Sequence, residues 1–272
     1  MIDNIKLVIA DVDFTLVDSK KEIQPLTRRM LNKLHEEGIL LGIASGRPLG
    51  NHLKGRYQDW KLNSQFDLII GMNGGEILDV RKNKLSEHFM LKKKYIKEII
   101  DFMDPTDINC FVYRGETSLV RWYDRRMQDA SIRNKEPMIL ANSDEELWEN
   151  DNHKLLYRCK DEAEADLAMK VAAEHPSEHY QFFKTAPIMV EFQDPRVNKG
   201  YAVKEYCKDN NISLENVMAF GDAQNDNTML EYAGWGVSML NGSDSTKAIA
   251  NDITEYDADH DGVGHYLEKL FK

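Results

Sequence analysis

The sequence predicts an α/β protein with a doubly wound parallel sheet, interrupted by an inserted α+β domain. Short buried apolar runs alternate with amphipathic helices at both ends of the chain, which is typical of strand–helix–strand units. The middle instead contains strands paired by hairpins, with helices grouped beside them. We therefore expect residues 1–80 and 194–272 to form one core, and residues 81–193 to form a second domain inserted into it.

The first segment of the core supplies three predicted strands and a helix. Residues 5–11, 39–45 and 66–72 are compact apolar runs of the kind that form buried parallel strands. Residues 25–37 place apolar side chains at helical spacing, with Pro25 where a helix can begin and Gly38 where it can end.

The insert and the last segment follow the same two patterns. In the insert we predict helices over 92–103 and 162–174, a hairpin around Gly115, a strand over 154–158, two strands flanking residues 185–187, and an irregular connection over 134–152. In the last segment we predict helices over 199–211, 225–232, 243–251 and 263–271, and strands over 216–220, 235–239 and 253–256.

Composition excludes several classes of function. The 35 Lys+Arg against 46 Asp+Glu give a charge of −11, which disfavours nucleic-acid binding. No apolar stretch approaches the roughly 18 residues of a membrane span. Cys110, Cys159 and Cys207 are isolated, so we expect neither disulfides nor a zinc site. No export signal is recognisable, and we expect a cytoplasmic protein with reduced thiols.

Polar side chains cluster where the predicted core strands end, which is where ligands bind in open parallel sheets. The clusters are Asp11-Val12-Asp13, Ser45-Gly46, Lys199 at a helix start, and Asp222-Ala223-Gln224-Asn225-Asp226. Each alone could be a turn, a helix cap or a solvated residue. Together they predict one site, and carboxylates without His or Cys suit a hard cation such as Mg²⁺.

Taken in order, Asp11-x-Asp13-x-Thr15, Ser45-Gly46-Arg47, Lys199 and Gly221-Asp222-x-x-Asn225-Asp226 resemble the four motifs of the haloacid dehalogenase (HAD) superfamily. The chain looks most like its Cof-type phosphatases, because the 154 residues between Ser45 and Lys199 leave room for their α/β, type IIB-like cap. The resemblance spans nearly the whole chain and implies a Rossmann-like HAD core.

The resemblance also implies roles. Asp11 would be the nucleophile and Asp13 the general acid and base. Mg²⁺ would be held by Asp11, Asp222 and the backbone carbonyl of Asp13.

The remaining motif residues would bind the phosphate or support the residues that bind it. The phosphoryl oxygens would contact Ser45, Gly46, Lys199 and Asn225. Thr15 and Asp226 would support these residues without touching the substrate. Asp226 would orient Lys199 or a metal-bound water.

Two positions depart from the family pattern. Phe14 stands where glycine is most common, at a position that faces the cap in the family, so it either narrows the substrate pocket or packs there without a role. Leu240-Asn241-Gly242 stands where the family often has Gly-Asn-Ala, which leaves the catalytic set intact.

The leading prediction is a Mg²⁺-dependent phosphatase of small phosphate monoesters, namely sugar phosphates or related metabolites. We expect no nucleic-acid or membrane partner, and a monomer or weak homodimer. A phosphomutase would use the same chemistry. A non-catalytic regulator that binds a phosphorylated metabolite is a third reading, but binding alone does not need Asp13 beside Asp11. A phosphoaccepting receiver would need no insert of this length.

Overall fold

The computed structural model describes residues 4–134 and 136–271, which fall into two compact units. The first unit takes the described residues up to Glu87 and those from Asn198 onward, and the second is His88–Val197. Each unit has its own sheet and hydrophobic core. The division into a catalytic core and a cap stays a prediction, because it concerns what each unit does.

The helices and strands follow in chain order. The first unit begins with β1 (Leu7–Asp11), α1 (Pro25–Glu36), β2 (Leu40–Ala44), α2 (Asn51–Lys54), α3 (Arg56–Asp59), β3 (Leu68–Gly71), β4 (Glu76–Asp79) and β5 (Lys84–Glu87). The second unit contains α4 (Lys93–Met103), β6 (Asn109–Arg114), β7 (Thr117–Val120), α5 (Arg125–Asn134), β8 (Met138–Leu140), β9 (Lys154–Arg158), α6 (Glu162–Ala173), β10 (Gln181–Ala186) and β11 (Met189–Gln193). The first unit resumes with α7 (Lys199–Asp209), β12 (Val217–Gly221), α8 (Asn227–Tyr232), β13 (Trp235–Ser238), α9 (Asp244–Ile249), β14 (Asp252–Ile253) and α10 (Gly262–Leu270).

The sheet of the first unit has the order β14-β13-β12-β1-β2-β3-β4-β5. It is parallel from β14 to β3, which confirms the predicted doubly wound core. The chain runs outward from β1 in one direction through β2 and β3, and in the other through β12 and β13. The strand order therefore reverses between β1 and β12, and a crevice opens there at the carboxyl ends of the strands.

Both faces of this sheet are covered, which explains why its strands are continuously apolar. Leu7 and Ile9 of β1 point into a cluster that contains buried residues of α7 and α8. Val8 and Ala10 point into the opposite cluster, which contains buried residues of α1 and α10. Because alternate residues of one strand anchor helices on both sides, β1 is fixed in position and so is the residue that ends it.

One edge of the core sheet differs from the sequence prediction. β4 pairs antiparallel with β3, and β5 pairs antiparallel with β4. The first unit therefore extends to Glu87, beyond the expected boundary at residue 80, and the second ends at Val197 instead of 193. Asn73, Gly74 and Gly75 indicate the end of a strand, but their sequence does not show that the chain turns back onto β3.

The second unit is an α+β structure with the sheet order β10-β11-β9-β6-β7-β8. The predicted hairpin is confirmed as β6 and β7 around Gly115. Buried residues of α4 and α6 pack on one face, and Met127 of α5 packs with residues of the other. The expectation of an irregular connection over 134–152 is partly wrong, because β8 lies there and pairs parallel with β7. Three residues are too few for a periodic signal.

Two expectations from composition can be compared with the structure. Within the described ranges, no helix combines the length and the apolar character that crossing a membrane requires. Cys110, Cys159 and Cys207 are buried and form no disulfide. Burial also raises the pKa of the Cys110 thiol to about 12, which keeps it protonated and unreactive.

The amino end of α1 is capped from the far end of the chain. The Asp261 carboxylate accepts hydrogen bonds from the backbone amides of Leu26 and Thr27, at 2.7 and 2.8 Å, and from the Thr27 hydroxyl at 2.6 Å. Asp261 precedes α10, which packs against the same cluster as α1. A single carboxylate thus joins the first helix of the core to the last.

We expect Asp261→Ala to lower the free energy of unfolding by about 1–2 kcal/mol, because two amides of the first turn of α1 lose their acceptor. Equilibrium denaturation in urea measures the change. Glu231→Ala is the matched control, since Glu231 is an exposed acid of α8, and it should change stability by less than about 0.5 kcal/mol. Equal effects of the two substitutions would contradict this role of Asp261.

Candidate active site

The predicted site residues lie at the carboxyl edge of the first unit's sheet. Asp11 is the last residue of β1 and pairs in register with Ala44 of β2, so Ser45 follows directly beside it. Asp222 follows β12, the other neighbour of β1. Lys199 is the first residue of α7. The four polar clusters predicted from separate parts of the sequence therefore meet at one crevice.

Lys199 is buried between two carboxylates. Its Nζ donates to Asp11 Oδ1 and to Asp226 Oδ1, both at 2.5 Å, and the side chains of Lys199 and Asp226 are fully buried. Burial opposes the lysine charge, but the two carboxylates outweigh it and raise the Lys199 pKa above its usual value. Lys199 is therefore a permanent cation inside the core.

The start of α7 is held in place by a glycine and a cap. The Asn198 side chain accepts a hydrogen bond from the Tyr201 amide at 2.7 Å, which caps the helix. A Cβ at Gly74, whose φ is +109°, would lie 2.2 Å from the Asn198 carbonyl oxygen. Only glycine permits this approach, so the turn after β3 fixes where Lys199 begins its helix.

Asp226 shapes the loop after β12 and is saturated with hydrogen bonds. Its Oδ2 accepts from the amides of Asp222 and Ala223, each at 3.0 Å, while Oδ1 accepts from Lys199. Gly221 is required beside it, because a Cβ there would lie 2.5 Å from that of Asp226. Asp226 therefore orients both Lys199 and the backbone that carries Asp222.

Thr15 joins the loop after β1 to the loop after β12. Its buried hydroxyl donates to Asp222 Oδ1 at 2.6 Å. Burial raises the pKa of the Asp222 carboxyl to about 6, although the Thr15 hydrogen bond acts in the opposite direction. Burial also raises the Asp11 pKa well above its usual value, against the attraction of Lys199.

The carboxylates of Asp11, Asp222 and Asp226 offer oxygens that lie within 4.8 Å of one another. One lysine charge faces three acids, so the group carries excess negative charge in a buried setting. Since Asp226 already has partners on both oxygens, Asp11 and Asp222 are the carboxylates that can turn an oxygen toward a cation. An all-oxygen donor set of this kind fits a small hard divalent ion.

Asp13 stands apart from this group. Its Oδ2 lies 3.5 Å from a guanidinium nitrogen of Arg47, and its side chain is 38% exposed. The chain turns tightly after Asp11, and the backbone amide of Leu16 donates to the Asp11 carbonyl at 3.2 Å. The loop thus separates two acids that are only two positions apart, and they face different surroundings.

Asn73 is a residue of the site to which the sequence prediction assigned no role, although Asn73-Gly74-Gly75 resembles a minor signature of Cof-type phosphatases. Its Oδ1 accepts from Asn225 Nδ2 at 3.3 Å, and a Cβ at Gly46 would lie 3.1 Å from the same oxygen. The backbone amide of Asn73 also donates a hydrogen bond to the Ser45 carbonyl at 3.0 Å. It therefore connects the predicted phosphate-binding residues of β2 and β12. Its signal was a polar side chain in a glycine-rich turn after a buried strand.

Three comparisons with known proteins agree with this geometry. A family model described as haloacid dehalogenase-like hydrolase matches residues 8–267. The chain is 26% identical over 270 residues to the 5-amino-6-(5-phospho-D-ribitylamino)uracil phosphatase YitU of Bacillus subtilis, and the match covers 97% of each chain.

Solved structures are similar over the whole chain as well. A haloacid dehalogenase-like hydrolase from Bacteroides thetaiotaomicron has a TM-score of 0.85 and 25% identity, covering 98% of this chain and 100% of that one. A HAD subclass IIB sugar phosphatase has a TM-score of 0.81 at 22% identity, covering 98% and 99%, which shows a shared fold.

We expect Lys199→Met to lower the free energy of unfolding by about 3–5 kcal/mol, because Asp11 and Asp226 are left buried without a countercharge. Denaturant titration in the presence of EDTA measures the loss without interference from bound metal. Adding Asp226→Asn should recover part of it, since one of the two stranded charges is removed.

The matched control is Lys204→Met, which removes an exposed lysine from the same helix and should change stability by less than about 0.5 kcal/mol. A Lys199→Met protein as stable as this control would show that the buried ion pairs do not hold the site together.

Proposed function

The chain belongs to the haloacid dehalogenase-like hydrolase family, and on that premise we propose that it is a Mg²⁺-dependent phosphatase of small phosphate monoesters. The reaction would pass through an aspartyl-phosphate on Asp11. The observation that carries the proposal is the position of Lys199, whose ammonium bridges Asp11 and Asp226 at the sheet switch point. A fixed cation beside a carboxylate is what an anionic nucleophile needs when its target is also an anion.

In the first step a carboxylate oxygen of Asp11 attacks phosphorus and forms a new O–P bond. The P–O bond to the leaving group breaks, and protonated Asp13 gives its proton to the departing oxygen. Asp13 suits this part because it lies outside the buried acid cluster, on a half-exposed loop. It can therefore exchange its proton while Asp11 stays bound to Lys199.

In the second step a water molecule attacks the phosphorus of the aspartyl-phosphate, and Asp13 now takes the proton of that water. The bond between phosphorus and Asp11 breaks, and inorganic phosphate is released. Transfer to a second substrate molecule instead of water would make the protein a phosphomutase. Product analysis separates these outcomes, since only hydrolysis releases one free phosphate per turnover.

Four residues would bind the phosphoryl oxygens: Ser45, the Gly46 amide, Lys199 and Asn225. Ser45 and Gly46 follow β2, which lies beside β1 and thus beside the nucleophile. Asn73 would hold Asn225 in place through its hydrogen bond. The resulting ring of donors around the attacking carboxylate orients the ester for in-line displacement.

Asp11, Asp222 and the carbonyl of Asp13 would hold Mg²⁺, and the other residues would keep these ligands in position. When bound, the ion would neutralise negative charge on the transferring phosphoryl group. Thr15 would fix the orientation of Asp222 by donating to its Oδ1. Asp226 would shape the loop backbone and leave the ligand positions to the other two acids.

We propose a phosphorylated small metabolite, such as a sugar phosphate, as the substrate class. One B. subtilis relative is named as a phosphatase of a phosphorylated ribityl compound, and a structural neighbour is named as a sugar phosphatase. The second unit would act as a cap that excludes water from the site during turnover. Three buried reduced thiols suit a cytoplasmic location.

We expect phosphate release to require Mg²⁺ and to be poorly supported by Ca²⁺, which takes more ligands at longer distances and would misplace Asp11. The measurement is phosphate release from p-nitrophenyl phosphate after EDTA treatment, followed by addition of each ion. Restored activity with Mg²⁺ alone is the expected result. Full activity in EDTA would contradict the proposed metal dependence.

We expect Asp11→Asn to abolish turnover while substrate binding stays measurable, because an amide keeps the shape but is a poor nucleophile and metal ligand. Asp13→Asn should slow turnover by about 10²–10⁴, because one residue serves as acid and then as base. The Asp13→Asn enzyme should also accumulate phosphoenzyme with p-nitrophenyl phosphate, whose leaving group needs little protonation.

Intact-mass spectrometry after acid quench detects the added phosphate, and peptide mapping assigns it to a residue. The matched control is Asp18→Asn, an acid of the same loop whose carboxylate is used in local hydrogen bonds to the Lys20 and Glu22 amides. Phosphate on a residue other than Asp11, or near wild-type turnover by Asp11→Asn, would show that the nucleophile is wrongly assigned.

A further inference from the structure

Phe14 is a large apolar side chain in an unfavourable setting beside the site. The residue is 56% exposed, so folding gains little from burying it. Its φ is +62°, in the left-handed region that side chains other than glycine rarely adopt. Neither hydrophobic burial nor backbone preference explains a phenylalanine here, and glycine would adopt this conformation without strain.

The strained residue accepts a hydrogen bond from the far end of the sequence. Asn241 Nδ2 donates to the Phe14 carbonyl oxygen at 2.8 Å, and Asn241 Oδ1 accepts from the Ala258 amide at 3.1 Å. Both the nitrogen and the oxygen of the Asn241 side chain are thus hydrogen-bonded. The backbone of the loop is thereby held at Phe14, and local violations of this kind concentrate at functional sites.

The geometry of the reaction places the leaving group near the loop that carries Phe14. In-line displacement requires the leaving oxygen to depart on the side of phosphorus opposite Asp11. The residue that protonates this oxygen is Asp13, and the Cα atom of the next residue, Phe14, is only about 3.8 Å from that of Asp13. The first atoms of the leaving group therefore lie close to the segment that carries the Phe14 side chain.

We propose that Phe14 is a specificity-determining residue whose ring packs on the flat apolar face of a ring in the leaving group. The preferred substrates are then phosphate esters of ring-bearing alcohols, either aromatic or pyranose, over acyclic polar ones. Both kinds of ring present a face of C–H or π surface that can stack on a phenylalanine. The inference rests on the proposed phosphatase function and on the role of Asp13 within it.

The test compares wild type with Phe14→Leu, which keeps an apolar side chain and the backbone constraint but removes the flat ring. The substrates are phenyl phosphate, glucose 6-phosphate, its acyclic counterpart sorbitol 6-phosphate, and acetyl phosphate, whose leaving group is too small to span the ring. We expect kcat/KM for the ring-bearing esters to fall by about two- to tenfold. The values for sorbitol 6-phosphate and acetyl phosphate should stay within about twofold.

Two further variants separate recognition from structure. Tyr256→Leu removes a similarly exposed aromatic ring elsewhere in the first unit and should leave all substrate ratios unchanged. Phe14→Gly relieves the left-handed strain, so it should raise the melting temperature while lowering ring selectivity as Phe14→Leu does. A structural role alone would lower stability and all four activities together.

If kcat/KM of Phe14→Leu falls only for phenyl phosphate, the preferred leaving group is aromatic. If it falls only for glucose 6-phosphate, the preferred leaving group is a pyranose. Unchanged ratios in Phe14→Leu, or an equal loss for every substrate, would overturn the inference while the phosphatase proposal stands. Failure of wild type to release phosphate from any of the four substrates would overturn both.

Discussion

The structure of the site depends on one buried cation. Lys199 has no exposed surface and can carry its charge inside the core only because Asp11 and Asp226 each accept a hydrogen bond from it. The two acids in turn need the lysine, since burial raises the pKa of Asp11 and favours its neutral form. The three groups stabilise one another, so removing the countercharge of a buried group destabilises the folded protein. This mutual dependence fixes the relative positions of β1, α7 and the loop after β12.

Contacts between sequence-distant residues hold the two segments of the core together. Thr15 binds Asp222 from 207 positions away, and Asp261 caps α1 from more than 230. Asn241 reaches back to the carbonyl of Phe14 in the same way. Each of these bonds joins the part of the chain before the second unit to the part after it. The loop after β1 is thereby held by residues from both segments, and a 110-residue insertion between them leaves it intact.

Continuous apolar runs were sufficient to predict the buried parallel strands, because a strand covered on both faces must be apolar throughout. The same signal missed β4 and β5, whose pairing with β3 depends on a turn that the sequence does not describe. It also missed β8, which has three residues and is partly exposed. Short elements and edge strands are selected by their neighbours more than by their own residues.

The sequence by itself determined which residue types stand at the ends of the core strands. Asp11, Ser45 and Asp222 had to meet, because the carboxyl ends of parallel strands lie at one edge of a sheet. Only the tertiary structure decided which partners and surroundings the polar side chains of the site have. It uses both oxygens of Asp226 within the protein, separates Asp13 from the acid cluster beside Arg47, and brings Asn73 to Asn225. These outcomes depend on side-chain directions and hydrogen-bond partners supplied by distant segments, and a linear pattern of residues contains neither.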